Sequence, residues 1–257
     1  MQALRFAFSF LTILPVGPLG AVSEKTIARS LAFYSLVGFA LGGLLFGTAW
    51  ILHTGPAPEL NSAVILAVWV ISTRALHLDG LMDSFDGLLS GRDRARKLEI
   101  MKDSRVGAMG AIALALQVLV KWSALGVLLE SGQYWVLAAA PAVGRSAMLP
   151  AMVFYPYARE ENGLGRSFSH NAGFGSSLAA GLILAAGIFW LNSGPGLLIM
   201  LTSLAASALI MHAMARSLGG HTGDTYGAIC EITESLFLLA AVYGPALWAG
   251  LQGRFMP

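Results

Sequence analysis

From Ser30 to Leu52 the chain carries no Asp, Glu, Lys or Arg. As a helix rising about 1.5 Å per residue, this stretch crosses a hydrocarbon core of about 30 Å. Further apolar stretches run from Leu60 to Leu76, Gly107 to Leu129, Gln133 to Tyr155, Ser176 to Leu191, Pro195 to Ala215 and Ser235 to Leu251. Composition agrees: 56% of residues are hydrophobic and 12% charged, where a soluble domain has about 25% charged. The chain therefore reads as all-α, a polytopic integral membrane helical bundle of about seven transmembrane helices. No composition shift or linker divides residues 1–257, so one catalytic domain is expected.

Met1 to Val16 is apolar but short, and it ends in Pro15-Val16-Gly17-Pro18. It predicts a short interfacial or re-entrant helix; without a small-residue cleavage site, no cleavable signal peptide is expected. Gly38, Gly42, Gly43 and Gly47 give the first span small-xxx-small spacings that favour close helix packing. The single cysteine, Cys230, excludes an internal disulfide and a thiolate-rich metal site. A net charge of +2 is too small to suggest nucleic acid.

Lys and Arg set the orientation. The turns near residues 53–59, 130–133 and 192–195 have neither. The alternate segments hold Lys25, Arg29, Arg92, Arg94, Arg96, Lys97, Lys102, Arg105, Arg159, Arg166 and Arg216; only Arg254 falls outside the pattern. The acidic segment after Leu76 and the loops 156–175 and 216–234 then share the cytoplasmic side.

That acidic segment reads His77-Leu78-Asp79-Gly80-Leu81-Met82-Asp83-Ser84-Phe85-Asp86-Gly87. On a helix, Asp79, Asp83 and Asp86 share one face, within about 60° of one another. Two such charges about 6 Å apart at an effective dielectric near 20 repel by roughly 3 kcal/mol. A hard divalent cation, Mg²⁺ or Ca²⁺, would relieve this; the plainer alternative is a polar connector. Gly80 and Gly87 would each cost about 1 kcal/mol in a helix, which close approach of a substrate or helix would explain.

Met101-Lys102-Asp103-Ser104-Arg105-Val106-Gly107 follows, with Gly110 beyond. A helix starting there beside Lys102 and Arg105 would suit a phosphate. Arg145 lies mid-span and needs a carboxylate or phosphate partner, because an arginine at the bilayer centre costs at least about 2.5–3.5 kcal/mol. A structural ion pair is the alternative. Lys121 sits nearer the outer half of its span, where snorkelling would serve. Gly219-Gly220-His221-Thr222-Gly223-Asp224 is a glycine-rich turn, and Glu231 shares a face with Asp224 if that region is helical. The polar loop Asn162 to Asn171, with Arg166, Ser167, Phe168 and His170, suits either a lid or a connector.

These three motifs, with the opening Phe10-Leu11-Thr12-Ile13-Leu14-Pro15-Val16, resemble the cobalamin synthase family, adenosylcobinamide-GDP ribazoletransferases, along the whole chain. The resemblance implies an inner-membrane, multi-pass bacterial enzyme that uses Mg²⁺. The ribose hydroxyl of α-ribazole or its 5′-phosphate would attack the cobinamide-linked phosphorus of adenosylcobinamide-GDP. Adenosylcobalamin (or its 5′-phosphate) would form and GMP leave. Displacement at a diphosphate needs a divalent metal and cationic side chains on the phosphoryl oxygens. On this reading Asp79, Asp83, Asp86 and Asp224 are expected on metal. Lys102, Arg105 and Arg145 are expected on diphosphate, with Arg74, Ser104, Thr222 and Glu231 completing the substrate contacts. His77, Asp103 or His221 would take the hydroxyl proton. Expected partners are these two substrates and the lipid bilayer, with a homo-oligomer allowed. The rivals are a CDP-alcohol phosphotransferase, whose Ala-Arg after the first Asp-Gly pair is replaced here by Met82-Asp83, and a cation transporter.

Overall fold

The computed structural model describes residues 1–53, 55, 57–160 and 163–255, with side chains described to residue 244 except at residue 58. Among these residues the chain is helical, with one isolated bridge, Tyr157 to His221, and no strands. Asn162, where the expected polar loop begins, lies outside the described residues, as do Thr54 and Pro56 of the first turn.

Helix α1 (Gln2–Leu11) has 10 residues, too few to cross a bilayer, as expected. α2 (Glu24–Ser30) starts at the cap Ser23, whose hydroxyl accepts from Thr26 N–H, and runs through a 3-10 turn into α3 (Tyr34–Leu52). α4 (Pro58–Ser72) and α5 (Leu76–Leu88) meet at 88°. α6 (Arg94–Ile100) is short and polar, and α7 (Ala108–Glu130) and α8 (Trp135–Phe154) are long and apolar. α9 (Leu164–Asn171) leads to α10 (Phe174–Leu218) and α11 (Gly223–Phe255). Five described helices are long and apolar enough to cross a membrane, or six with the bent pair α4–α5 taken as one span.

A count of seven would require dividing α10 as well. This helix is 45 residues long but non-helical at Asn192 and Ser193, inside the expected 192–195 turn. A Cβ on Gly196 would stand 3.2 Å from Ile188 Cγ2. Eight residues of straight helix would separate them by about 12 Å, so the chain folds back there. The last span also differs from expectation, because α11 starts at Gly223 rather than Ser235. Asp224, Glu231 and Glu234 interrupt the apolar pattern of the sequence but not the helix.

α8 is the central element, buried along almost its whole length. α3 packs on it through Gly38 and Gly42. A Cβ on Gly42 would stand 2.0 Å from the Ala138 carbonyl oxygen, and one on Gly38 2.3 Å from Ala142 Cα. Gly42→Ala is expected to cost about 1–3 kcal/mol through overpacking. A lowered unfolding temperature in detergent would show it; Gly43→Ala, with open space at its Cβ, is expected to leave that temperature unchanged or slightly raised.

Two apolar clusters fill the bundle. One extends to Leu52, Leu129, Tyr134 and Leu191, and the other gathers under α1, α5, α9 and the start of α11. At that second end α6 ties the loops together. Arg94 donates to the carbonyls of Leu218 at 2.6 Å and Ala158 at 3.4 Å, and Lys97 to Ser217 Oγ at 2.8 Å.

Candidate active site

The turn between α4 and α5 aims the acidic helix. Arg74 and Ala75 have φ of 55° and 53°, a left-handed conformation that costs a non-glycine residue roughly 1–2 kcal/mol. The Arg74 guanidinium donates to the carbonyls of Ser9 at 2.7 Å and Thr12 at 3.3 Å, and Ile13 N–H bonds the Ser72 carbonyl at 2.9 Å. Arg74, expected on substrate, braces this turn against α1.

α5 then crosses α11 almost backbone to backbone. A Cβ on Gly80 would lie 2.7 Å from the Asp224 carbonyl oxygen, so the glycine is there for helix contact. The crossing sets His77 and Asp79 beside Asp224. All three line a cavity of about 210 Å³ whose remaining walls come from α1, α3, α8 and α9. Asp79 is exposed and Asp224 half-buried. Asp83 follows one turn later on α5, where burial, then the charges of Asp224 and Asp79, push its carboxyl up to about 6. The expected crowding of negative charge is present, with Asp224 joining it from α11.

Asp86 has a defined structural task. Its two oxygens accept the N–H groups of Gly107 and Gly110, both at 2.8 Å, so it caps α7. The helix start that the sequence offered to a phosphate is thus occupied by a carboxylate of the chain itself. Asp86 also borders an open groove of about 510 Å³ with Asp103 and Arg105. Here Arg105 grips Asp103 at 2.6 Å and its hydrogen bonds hold that carboxyl down at about 2. A carboxylate so paired is a weak base at neutral pH. Lys102 and Ser104 are exposed beside it. The row Asp79, Asp83, Asp86 therefore runs from an aromatic-walled cavity to an open, charged groove.

The other expected residues lie elsewhere. Arg145 is wholly buried and pairs with Glu234, while Lys121 is held between Glu231 and Glu234. Gln117 donates to Glu231 at 3.0 Å, and the Lys121 ammonium lies 4.3 Å over the Trp69 ring. Arg145 and Glu231, expected on substrate, thus form a four-charge network linking α7, α8 and α11, and Lys121 does not snorkel. Its partners sit on α11, which leaves it only 3% exposed. The network reaches the site at one point, where Arg145 Nη2 lies 3.5 Å from His77 Nδ1. Guanidinium can only donate, so the proton of a neutral His77 belongs on Nε2.

Thr222 and Thr225 cap α11 reciprocally, each side-chain oxygen accepting the other's N–H, at 2.8 and 3.3 Å. His221 bonds Thr225 through Nδ1 at 3.1 Å and stacks edge-on to Tyr155; burial pushes it down to about 4. It does not line the cavity. Of the three expected proton acceptors, only His77 does. Arg159 was missed as a site residue, entering the sequence only through the charge asymmetry. Its Nη2 holds Asp224 at 2.6 Å and the Met101 carbonyl at 3.3 Å, giving the carboxylate cluster a cation.

Mg²⁺ fits this donor set by chemistry. Among the described residues no three His, Cys, Asp or Glu side chains converge closely enough to hold an ion unaided. Mg²⁺, however, is commonly held by one or two carboxylates with the substrate's phosphates and waters supplying the rest, and Asp79, Asp83 and Asp224 offer hard oxygens only.

The family described as cobalamin-5-phosphate synthase, CobS, matches residues 3–242. A protein of Desulforamulus reducens named adenosylcobinamide-GDP ribazoletransferase is 42% identical over 95% of this chain and 97% of its own. Proteins of the same name from Pseudomonas entomophila and Herpetosiphon aurantiacus are each 42% identical, over 96% and 93% of this chain and 99% and 95% of theirs. No solved structure matches the chain. With that likeness running through α5, α7 and α11 alike, the chain belongs to the cobalamin synthase family of transferases in cobalamin synthesis.

Proposed function

We propose that this chain transfers the adenosylcobinamide phosphoryl group from adenosylcobinamide-GDP to a ribose hydroxyl of α-ribazole, or of α-ribazole 5′-phosphate, releasing GMP. The new P–O bond forms at the cobinamide-linked phosphorus as its bond to the GMP oxygen breaks. The observation that carries this reading is the carboxylate row of α5. It borders a cavity at Asp79 and an open groove at Asp86, with Asp83 between and Asp224 opposite. One substrate enters from each side and they meet over Asp83.

Asp79, Asp83 and Asp224 would hold Mg²⁺, which when bound neutralises charge on the diphosphate. Arg159 and Arg105 supply cations at the two sides, and His77 donates through Nε2 to an oxygen in the cavity. A loose phosphoryl-transfer transition state leaves most of the work to positioning and electrostatics. This suits a site whose three expected bases are a paired carboxylate, a donor imidazole and a histidine outside the cavity. The site end carries Arg92, Arg94, Arg96, Lys97, Lys102, Arg105, Arg159 and Arg216, which supports a cytoplasmic orientation in the bacterial inner membrane.

Purified protein incubated with adenosylcobinamide-GDP, α-ribazole and Mg²⁺ is expected to release GMP, to stop in EDTA and to resume with excess Mg²⁺. No GMP under any divalent cation, or CMP released from a CDP-alcohol instead, would overturn the assignment.

A further inference from the structure

We propose that the cavity beneath α9 takes the flat aromatic base of the acceptor nucleoside, with the Tyr34 hydroxyl reading the base's free ring nitrogen; this rests on the function proposed above. The walls facing His77, Asp79 and Asp224 are aromatic. Phe10 lies 5.0 Å from Phe168, ring centre to ring centre, and Tyr34 meets Phe168 edge-on at 6.1 Å. Met148 and Met152 close the side against α8. Polarizable sulfur and tilted rings form a surface that receives another ring system.

Size narrows the choice. The cavity of about 210 Å³ admits a fused bicyclic ring and is small for a corrin macrocycle with its side chains. Polarity narrows it further. Tyr34 is 0% exposed, and its hydroxyl has no hydrogen-bond partner although it borders this cavity. Buried hydroxyls are normally satisfied, so a partner from outside the chain is called for. The benzimidazole of α-ribazole has one free ring nitrogen and no exocyclic donor or acceptor, so a single O–H···N bond satisfies both. Guanine, the other base in the reaction, would bring several donors and acceptors, for which the aromatic and thioether walls offer only the Tyr34 and Tyr226 hydroxyls. With the base so placed, the attached ribose is directed to the wall of His77, Asp79 and Asp224, where its hydroxyl is needed.

Equilibrium dialysis of the full-length protein in detergent, with α-ribazole and GDP as separate probes, tests this without turnover. Phe168→Ala is expected to weaken α-ribazole binding by on the order of tenfold, through lost ring contact. Tyr34→Phe, which keeps the ring packing, is expected to weaken it about three- to tenfold. Both should leave GDP binding within twofold of wild type. A third probe, the indole nucleoside lacking the ring nitrogen, should bind wild type and Tyr34→Phe equally. Weakened GDP binding with α-ribazole unchanged would place guanine in the cavity and overturn the proposal. So would an equal Tyr34→Phe penalty on the indole nucleoside, or a wild type that binds GDP but no α-ribazole. Failure of the parent reading appears separately, as no GMP release from adenosylcobinamide-GDP by the wild type.

Discussion

Asp83→Ala is expected to lower Mg²⁺-dependent GMP release by about 10³-fold or more while the protein still inserts and folds. The magnitude follows from the work assigned to the cluster. Removing one preorganised electrostatic contact to a transition state typically costs about 10²–10³-fold, and an oxygen ligand lost from a metal clamp acts on both the attacking and leaving groups. Folding should survive because Asp83 repels its neighbours. Burial and the charges of Asp224 and Asp79 raise its carboxyl to about 6, so its ionised form opposes the native state when no cation is present. Asp86→Ala should behave differently. It removes the cap of α7 and costs about 0.5–2 kcal/mol of stability. Comparing the two by GMP release and by thermal unfolding in EDTA separates ligand from cap; wild-type turnover in Asp83→Ala would remove Asp83 from the metal site.

Glu234→Ala is expected to be the most destabilising single change in the bundle, by about 3–5 kcal/mol. Glu234 is fully buried and is the carboxylate shared by Lys121 and Arg145. Its removal leaves Arg145 with no carboxylate and Lys121 with Glu231 alone, in surroundings that solvate neither. For a chain of this size each kcal/mol is worth about 2–4 °C, so the unfolding temperature in detergent should fall by roughly 10 °C. Glu231→Ala should cost less, since Glu234 still serves both cations. Because Arg145 also abuts His77, activity in Glu234→Ala should fall even below its unfolding temperature. An unchanged melting temperature would mean that the network contributes little to holding α7, α8 and α11 together.

What could be read in the sequence was local. The spacing of Asp79, Asp83 and Asp86 puts them on one face because α5 is a helix, and the turn at Asn192 and Ser193 is marked by the polar residues before Pro195. The charge asymmetry gathered the loops that the structure assembles at one end. Pairings between distant segments were not legible. Arg145 and Glu234 are 89 residues apart, and a buried arginine suits a phosphate or a carboxylate equally well until its partner is seen. Glu231 and Glu234 looked like the end of a polar loop because their countercharges sit on α7 and α8. Asp86 had the right residue type for metal, yet it caps a helix through Gly107, 21 residues later. The aromatic wall draws Phe10, Tyr34 and Phe168 from α1, α3 and α9, and no spacing rule connects those three elements.

The central claim is that α5 and α11 together grip a divalent cation beneath the substrate's diphosphate. Mn²⁺ electron paramagnetic resonance tests it most directly, titrating the wild type, Asp83→Ala and Asp224→Ala with Mn²⁺ in the presence of adenosylcobinamide-GDP. The expected result is protein-bound Mn²⁺ in the wild type, displaced by Mg²⁺, and weakened by at least about tenfold in both variants. Equal Mn²⁺ binding in all three proteins would contradict it.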